Sequence, residues 1–149
     1  MFDPIHKISD GIFLGNEDAH KDEKTLKENK IGAILTCAGE LKGHKYEDLE
    51  VERKAIDVID YQGENIAMYF DEAVEWMEKM LEGGKNIFIH CAAGVSRSGS
   101  FTIAYFMKSK NMSFKEAFLF VKSKRRCVKP NSGFHEQLIA YEKKLSGSK

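Results

Sequence analysis

Apolar and polar positions follow two periods along this chain, and each predicts its own elements. Ile31 to Cys37 is a short apolar run rich in strand formers, Val51 to Ile59 mixes apolar with polar residues as a second strand would, and Asn86 to His90 reads as a third. Between the second and third, Ile66, Phe70, Ala73, Met77 and Met80 recur at a spacing of three to four. That predicts an amphipathic helix over Ile66 to Leu81, with Asn65 placed to cap its first turn and Gly83 and Gly84 to end it. Strand, helix and strand at these lengths predict a crossover unit with parallel strands.

The pattern changes after His90. Cys91 to Ser96 holds mostly small residues before Arg97, and Ser98 to Lys110 then carries the nearly continuous apolar run Phe101 to Met107, read as a buried central helix. Ser113 and Glu116 have the spacing of a capping box, opening a helix whose Phe114, Ala117, Phe118 and Val121 share one face. Pro130, Asn131, Ser132 and Gly133 punctuate the chain before a last helix with Phe134, Leu138, Tyr141 and Leu145 on one stripe. Strands mostly first and helices last predict an α/β fold: one twisted, mostly parallel sheet flanked by helices.

Composition narrows the class. At 149 residues, 42% hydrophobic and 31% charged, the chain is expected to form a single domain over 1–149, with 146–149 a flexible tail. Lys plus Arg and Asp plus Glu are 23 each, so no net field draws the protein to nucleic acid or to a membrane surface. No apolar stretch approaches the ~20 residues a bilayer span requires, and Met1 to Pro4 shows no charged-then-apolar leader. Cys37, Cys91 and Cys127 are an odd number without CxxC spacing. They fit a reducing, cytoplasmic location better than a disulfide scaffold or a zinc site. A monomer is the default expectation.

Chemistry concentrates in His90 to Ser98, between the end of a strand and the start of a helix. A loop there turns successive backbone N–H groups of Ala92, Ala93, Gly94, Val95, Ser96 and Arg97 toward one spot, where the helix N-terminus adds roughly half a positive charge. A phosphate-sized anion is the natural ligand. Arg97 can grip two non-bridging oxygens in parallel, and Cys91 lies on the floor of the cradle. In that setting a thiol is expected to ionise below its free value of about 8.5 and so to serve as a nucleophile, with Ser98 hydrogen-bonded to the sulfur when it later departs. Gly94 permits a positive φ or a close backbone approach. Cys followed six positions later by Arg arises by chance in about 15% of chains with three cysteines, so the flanking His, Gly and Ser carry the specificity.

Written as a pattern, this loop is HCxxGxSRS, and it resembles the signature of the cysteine-dependent protein tyrosine phosphatase superfamily in its dual-specificity branch. Ile12 to Gly15 resembles that branch's opening strand, Ala104 to Met107 its central helix, and Pro130 to Phe134 with Gln137, Leu138, Tyr141 and Glu142 its closing helix. The resemblance implies hydrolysis of phosphotyrosine and phosphoserine or phosphothreonine in proteins through a phosphocysteine, with no metal or cofactor. The reaction also needs a proton for the leaving group and a base for the attacking water, and one carboxylic acid can serve both turns. Asp60 is the candidate, because Asp60 to Ile66 resembles the family's general-acid loop; Asp57, on the same expected strand, is the competitor.

Other residues have plainer readings. His90 is read as a hydrogen-bonded support of the loop, and Asn131 and Ser132 as either a helix cap or props of the loop from across the site. Cys37 and Cys127 are read as small core residues, although Cys37 could be a redox partner of Cys91. Lys122, Lys124, Arg125, Arg126 and Lys129 are read as solvated helix-end charges, with docking of an acidic phosphorylated partner as the alternative. The acidic segment Glu17 to Glu23 is read as a first helical turn and its surroundings.

Three functions compete: a phosphoprotein phosphatase, a phosphatase for phosphoinositide, phosphoglucan or RNA 5′-phosphate, and a non-catalytic phosphoresidue-binding module. The uncharged Ala92, Ala93, Val95 and Ser96 favour the first over lipid substrates, since they offer nothing to additional phosphates. Cys91, Arg97 and Asp60 together favour catalysis over mere binding. A shallow cleft is expected, because few residues precede the first strand to build a loop that would deepen it.

Overall fold

A computed structural model describes residues 3–147. The strands β1 (Ile5–Ser9), β2 (Ile12–Gly15), β3 (Ile31–Thr36), β4 (Glu52–Ala55) and β5 (Asn86–His90) form one sheet in the order β1-β2-β5-β3-β4. The hairpin β1–β2 is antiparallel and every other pair is parallel, so the sheet is mostly parallel as expected. Among the described residues six α-helices accompany it: α1 (Glu17–Lys21), α2 (Glu23–Glu28), α3 (Phe70–Glu82), α4 (Arg97–Ser109), α5 (Phe114–Lys124) and α6 (Ser132–Gly147).

Alternation along the central strands assigns the two faces. Ala33, Leu35, Ile87 and Ile89 point to the larger core, where they meet α3, α4, α5 and α6; Ile34 and Phe88 point the other way, toward Leu26 of α2 and Ala19 of α1. Helix α4 is buried almost all round, Phe101 to Met107 included, which is why its sequence reads as a continuous apolar run. Its neighbours are tied to one another by Asp71 at the start of α3. This carboxylate accepts from Tyr141 Oη at 2.6 Å and from Lys108 Nζ at 3.2 Å, and the Tyr141 bond is the main reason its pKa falls to about 2.

Several boundaries differ from the sequence expectation. The second strand is not Val51 to Ile59 but only Glu52–Ala55: β3 ends at Thr36, so after the Ile56 amide bonds Thr36 O at 2.8 Å the edge has no further partner. The alternation continues without a ladder, burying Ile56 and Val58 and exposing Asp57, Ile59 and Asp60. The helix expected from Ile66 begins as a 3₁₀ turn, Ala67–Tyr69, with Asn65 Oδ1 accepting from the Met68 amide at 3.3 Å. Glu17 to Glu23 covers two short helices, capped by Asn16 and Asp22, rather than one turn. Strand β1 was not anticipated. Ser146 and Gly147 belong to α6 rather than to a loose tail, and Ser148 and Lys149 lie outside the described residues.

Candidate active site

The loop from Cys91 to Ser96 leaves the C-terminal end of β5 and enters α4 at Arg97. Four consecutive carbonyls of this loop are engaged from outside. Ala92 O accepts from the Glu17 amide at 3.0 Å, Ala93 O from Arg125 Nη2 at 3.3 Å, Gly94 O from Arg125 Nε at 2.9 Å, and Val95 O from the Lys129 amide at 3.0 Å. A peptide unit whose C=O is held outward presents the opposite N–H inward. Among the described residues, no protein acceptor engages the amides of residues 92–97. The turn depends on Gly94, which has φ +69° and lies so close to β2 that a Cβ there would come within 2.5 Å of Gly15 O.

Cys91 is buried at the base of this ring. Its Sγ lies 3.0 Å from Ser98 Oγ and 3.5 Å from the Ser98 amide, so the serine of the pattern reaches the sulfur as expected. Arg97 folds back from the first position of α4. Nη1 donates to Val58 O at 3.1 Å, and Nη1 and Nη2 together grip the Glu40 carboxylate at 3.0 and 2.9 Å. Burial works against the guanidinium charge, but the Glu40 hydrogen bonds and the neighbouring Cys91, Glu40 and Asp60 outweigh it and raise the Arg97 pKa.

Asp60 is exposed on the loop after β4, and Asn131 Nδ2 donates to its Oδ1 at 3.0 Å. This loop is clasped by the start of α6. Ser132 Oγ donates to Gln62 Oε1 at 2.8 Å, Gln137 Nε2 donates to Glu64 O at 2.8 Å, and a Cβ at Gly133 would fall 1.8 Å from Gln62 O. Asn131 combines both roles read for it: Oδ1 caps Phe134 N at 2.9 Å, while its amide donates to Ser96 Oγ at 2.9 Å. Asp57, the rival acid, faces elsewhere. Its carboxylate lies against Gly39 and pairs with Lys42 at 3.6 Å.

Two residues escaped the sequence reading. Glu40 has no local pattern; its meaning appears only when β3 and α4 are brought together. Arg125, read as a solvated helix-end charge, is 0% exposed, and besides the loop carbonyls it donates from Nη1 to Asp3 O at 2.6 Å and to His6 Nδ1 at 2.9 Å. An extended basic run looks the same whether one guanidinium turns inward or not. Lys124, Arg126 and Lys129 are exposed as expected. Cys127 is half-buried rather than part of the core, with Sγ 4.0 Å from Gly94 O, whereas Cys37 is a fully buried core residue whose thiol pKa burial pushes well up.

Beneath the loop, His90 lies face to face with His20 at 3.9 Å between ring centroids and bonds Thr36 Oγ1 through Nε2 at 2.8 Å. Burial is the main cause that lowers the pKa of His20 to about 4 and of His90 to about 2, so both are neutral near pH 7. The unfolded chain binds protons at these sites from about pH 6.5 downward while the folded chain does not. Stability is therefore full above that pH and declines as pH falls toward 4 for His20 and further for His90. Between pH 7 and 5 the pair is expected to cost up to about 4 kcal/mol, with His20→Gln flattening the slope. Urea unfolding across that range checks it, and an unchanged midpoint would refute the neutral pair.

Comparison with known proteins places this arrangement. A family model described as the dual specificity phosphatase catalytic domain matches residues 12–144. The chain belongs to that family. It is 36% identical over 141 residues to Dual specificity protein phosphatase 1 of Arabidopsis thaliana, covering 95% of this chain and 70% of the relative. Dual specificity protein phosphatase 18 of Rattus norvegicus is 34% identical over 143 residues, covering 96% and 69%. A mouse putative dual specificity phosphatase complexed with zinc tungstate superposes with a TM-score of 0.91 at 27% identity, over 97% of this chain and 90% of that one. This dual specificity phosphatase is thus a cysteine-dependent protein phosphatase whose substrates are phosphorylated proteins.

Proposed function

We propose that Cys91 is the nucleophile and Asp60 the general acid of a two-step hydrolysis acting on phosphotyrosine and on phosphoserine or phosphothreonine. The observation that carries this reading is the outward capture of four consecutive loop carbonyls, Ala92 to Val95, above a buried Cys91. Inward amides and the Arg97 guanidinium would receive the three non-bridging oxygens and favour the extra negative charge of the transition state. Cys91 Sγ attacks phosphorus, the bond to the leaving oxygen breaks, and Asp60 gives that oxygen its proton. Asp60, now a carboxylate, takes a proton from water, the water oxygen attacks the phosphocysteine, and the sulfur leaves as thiolate with Ser98 Oγ donating to it. Asn131 keeps the Asp60 carboxyl in register through both turns.

A shallow cleft suits the shorter phosphoserine and phosphothreonine side chains as well as phosphotyrosine. The exposed Ile59 and Tyr61 beside Asp60 offer apolar surface to a peptide and none of the charge that an inositol polyphosphate would require. Among the described residues no helix is long and apolar enough to cross a membrane. Three free thiols support a reducing, cytoplasmic location, with a monomer acting on proteins rather than on nucleic acid or membranes. Steady-state hydrolysis of phosphotyrosine and phosphothreonine peptides, a phosphoinositide and a phosphorylated glucan tests the choice. Both peptides are expected to exceed the other two in kcat/KM, and a preference for lipid or glucan would overturn it.

A further inference from the structure

Three chain reversals at the far end of the sheet from Cys91 frame a cavity of about 660 Å³ that the two-step reaction does not use. Helix α3 ends as the Gly84 and Lys85 amides turn back to Leu81 O at 2.9 Å and Met80 O at 3.0 Å, just before β5 starts at Asn86. Helix α4 ends in a similar turn. Asn111, at φ +57°, brings the Met112 amide onto Phe106 O at 3.3 Å, and the β1–β2 turn at Asp10 and Gly11 closes the third side.

Leu81, Phe106, Met112 and Phe120 give the cavity its apolar surface, and the rings of Phe106 and Phe120 stand edge to face at 4.9 Å between centroids. That corner suits a flat ring. Tyr105 lines the same space and is only 4% exposed, yet among the described residues its hydroxyl meets no protein partner. Nor is the hydroxyl sealed in: the fully enclosed side-chain polar atoms without a partner are His20 Nε2 and His90 Nδ1. A tyrosine this deep ordinarily directs its O–H to the protein, whereas this one is open to whatever enters. Burial, with the Glu78 carboxylate nearby, raises its pKa, so it remains a donor through the neutral range; Glu78 itself accepts from Ser109 Oγ at 2.8 Å.

The charge of the lining leaves one sign to spare. Lys85 and Lys110 contribute to it, and among the described residues neither pairs with a carboxylate. Asp10, the acid of the lining, is fully exposed and already pairs with Lys7 at 3.3 Å. A helix-end position explains a lysine by itself, but not an apolar hollow with an unused hydroxyl beside it. The volume falls within the ~300 to 1,000 Å³ of small-molecule sites. It is also separate from the phosphoryl pocket: Tyr105 lies about 12 Å along α4 from Arg97, and Asn86 is at the opposite end of β5 from His90.

We propose that this cavity binds a small aromatic carboxylate, which packs its ring on Phe106 and Phe120, turns its charge to Lys85 and Lys110 and accepts a hydrogen bond from Tyr105. Amide NMR of the full chain tests it, with vanadate saturating the active site and naphthoate, the neutral naphthamide or octanoate titrated in. Naphthoate is expected to shift the Gly11, Lys85, Lys110 and Met112 amides saturably, with Kd below about 1 mM. Naphthamide and octanoate should each bind about tenfold more weakly. Replacing both lysines, Lys85→Ala with Lys110→Ala, should weaken naphthoate about tenfold, and Tyr105→Phe, which removes only the hydroxyl, about fivefold. Turnover of a phosphopeptide without naphthoate should stay at the wild-type rate in the double lysine variant. No saturable shifts at ~10 mM naphthoate would overturn the proposal. So would equal affinity for naphthamide, a preference for octanoate, unchanged binding in both variants, or loss of the shifts on adding vanadate, which would put the carboxylate in the phosphoryl pocket. Should Tyr105→Phe fail to fold, the exposed lysines decide alone.

Discussion

Replacing Cys91 by serine is expected to lower turnover by about 10⁴-fold or more while phosphopeptide binding survives. An alcohol in the same ring of amides stays protonated at neutral pH, so the attacking atom is lost although its position is kept. The binding surface is untouched, since the amides of residues 93–96 do not depend on the sulfur for their orientation: the carbonyls of residues 92–95, on the other side of the same peptide units, are fastened by Glu17, Arg125 and Lys129. Serine is close to cysteine in size and leaves the surrounding donors in place, so affinity should hold. Calorimetry with a phosphotyrosine peptide, beside a stopped assay for released phosphate, separates the two effects. Turnover within tenfold of wild type in Cys91→Ser would remove the covalent step from the mechanism.

The second large effect belongs to the acid. Asp60→Ala is expected to lower kcat on a phosphoserine or phosphothreonine peptide by about 10²- to 10⁴-fold, with KM nearly unchanged, because Asp60 acts on the departing oxygen rather than on the bound phosphoryl group. The penalty should shrink as the leaving group becomes more acidic: smaller for phosphotyrosine, whose phenol has a pKa of about 10, and smallest for an activated nitrophenyl ester. This gradation distinguishes a missing proton donor from a displaced loop, which would slow every substrate alike. Asn131→Ala, which frees the Asp60 carboxyl without removing it, should reproduce part of the loss in the same order of substrates. Equal penalties across the series would reassign the proton to another group.

Much of this site was readable in one dimension because its parts are contiguous. The loop from Cys91 to Arg97, the strand that ends on His90 and the apolar helix behind it occupy a single stretch, so local pattern and chemistry coincide. Asp60, proposed as the acid from its resemblance to the family's acid loop, lies on a loop and not on a strand, because the strand expected to deliver it stops at Ala55 for want of a partner. Features made by long-range contact were hidden. Glu40 belongs to the site only because β3 lies beside β5, and charge patterning cannot show a neighbour on another strand. Arg125 was misread for a related reason: its partners are backbone carbonyls, which have no sequence signature. Strand β1 has only one buried residue, Ile8, and a hairpin edge so lightly packed leaves a weak period.

Arg125 joins the reactive loop to the first residues of the chain, since one guanidinium spans Gly94 O, Ala93 O and Asp3 O. Anyone preparing this enzyme inherits a consequence. Cutting the chain back to Ile5 would remove the Asp3 carbonyl and with it one anchor of the guanidinium that braces the loop, so specific activity is expected to fall with that truncation.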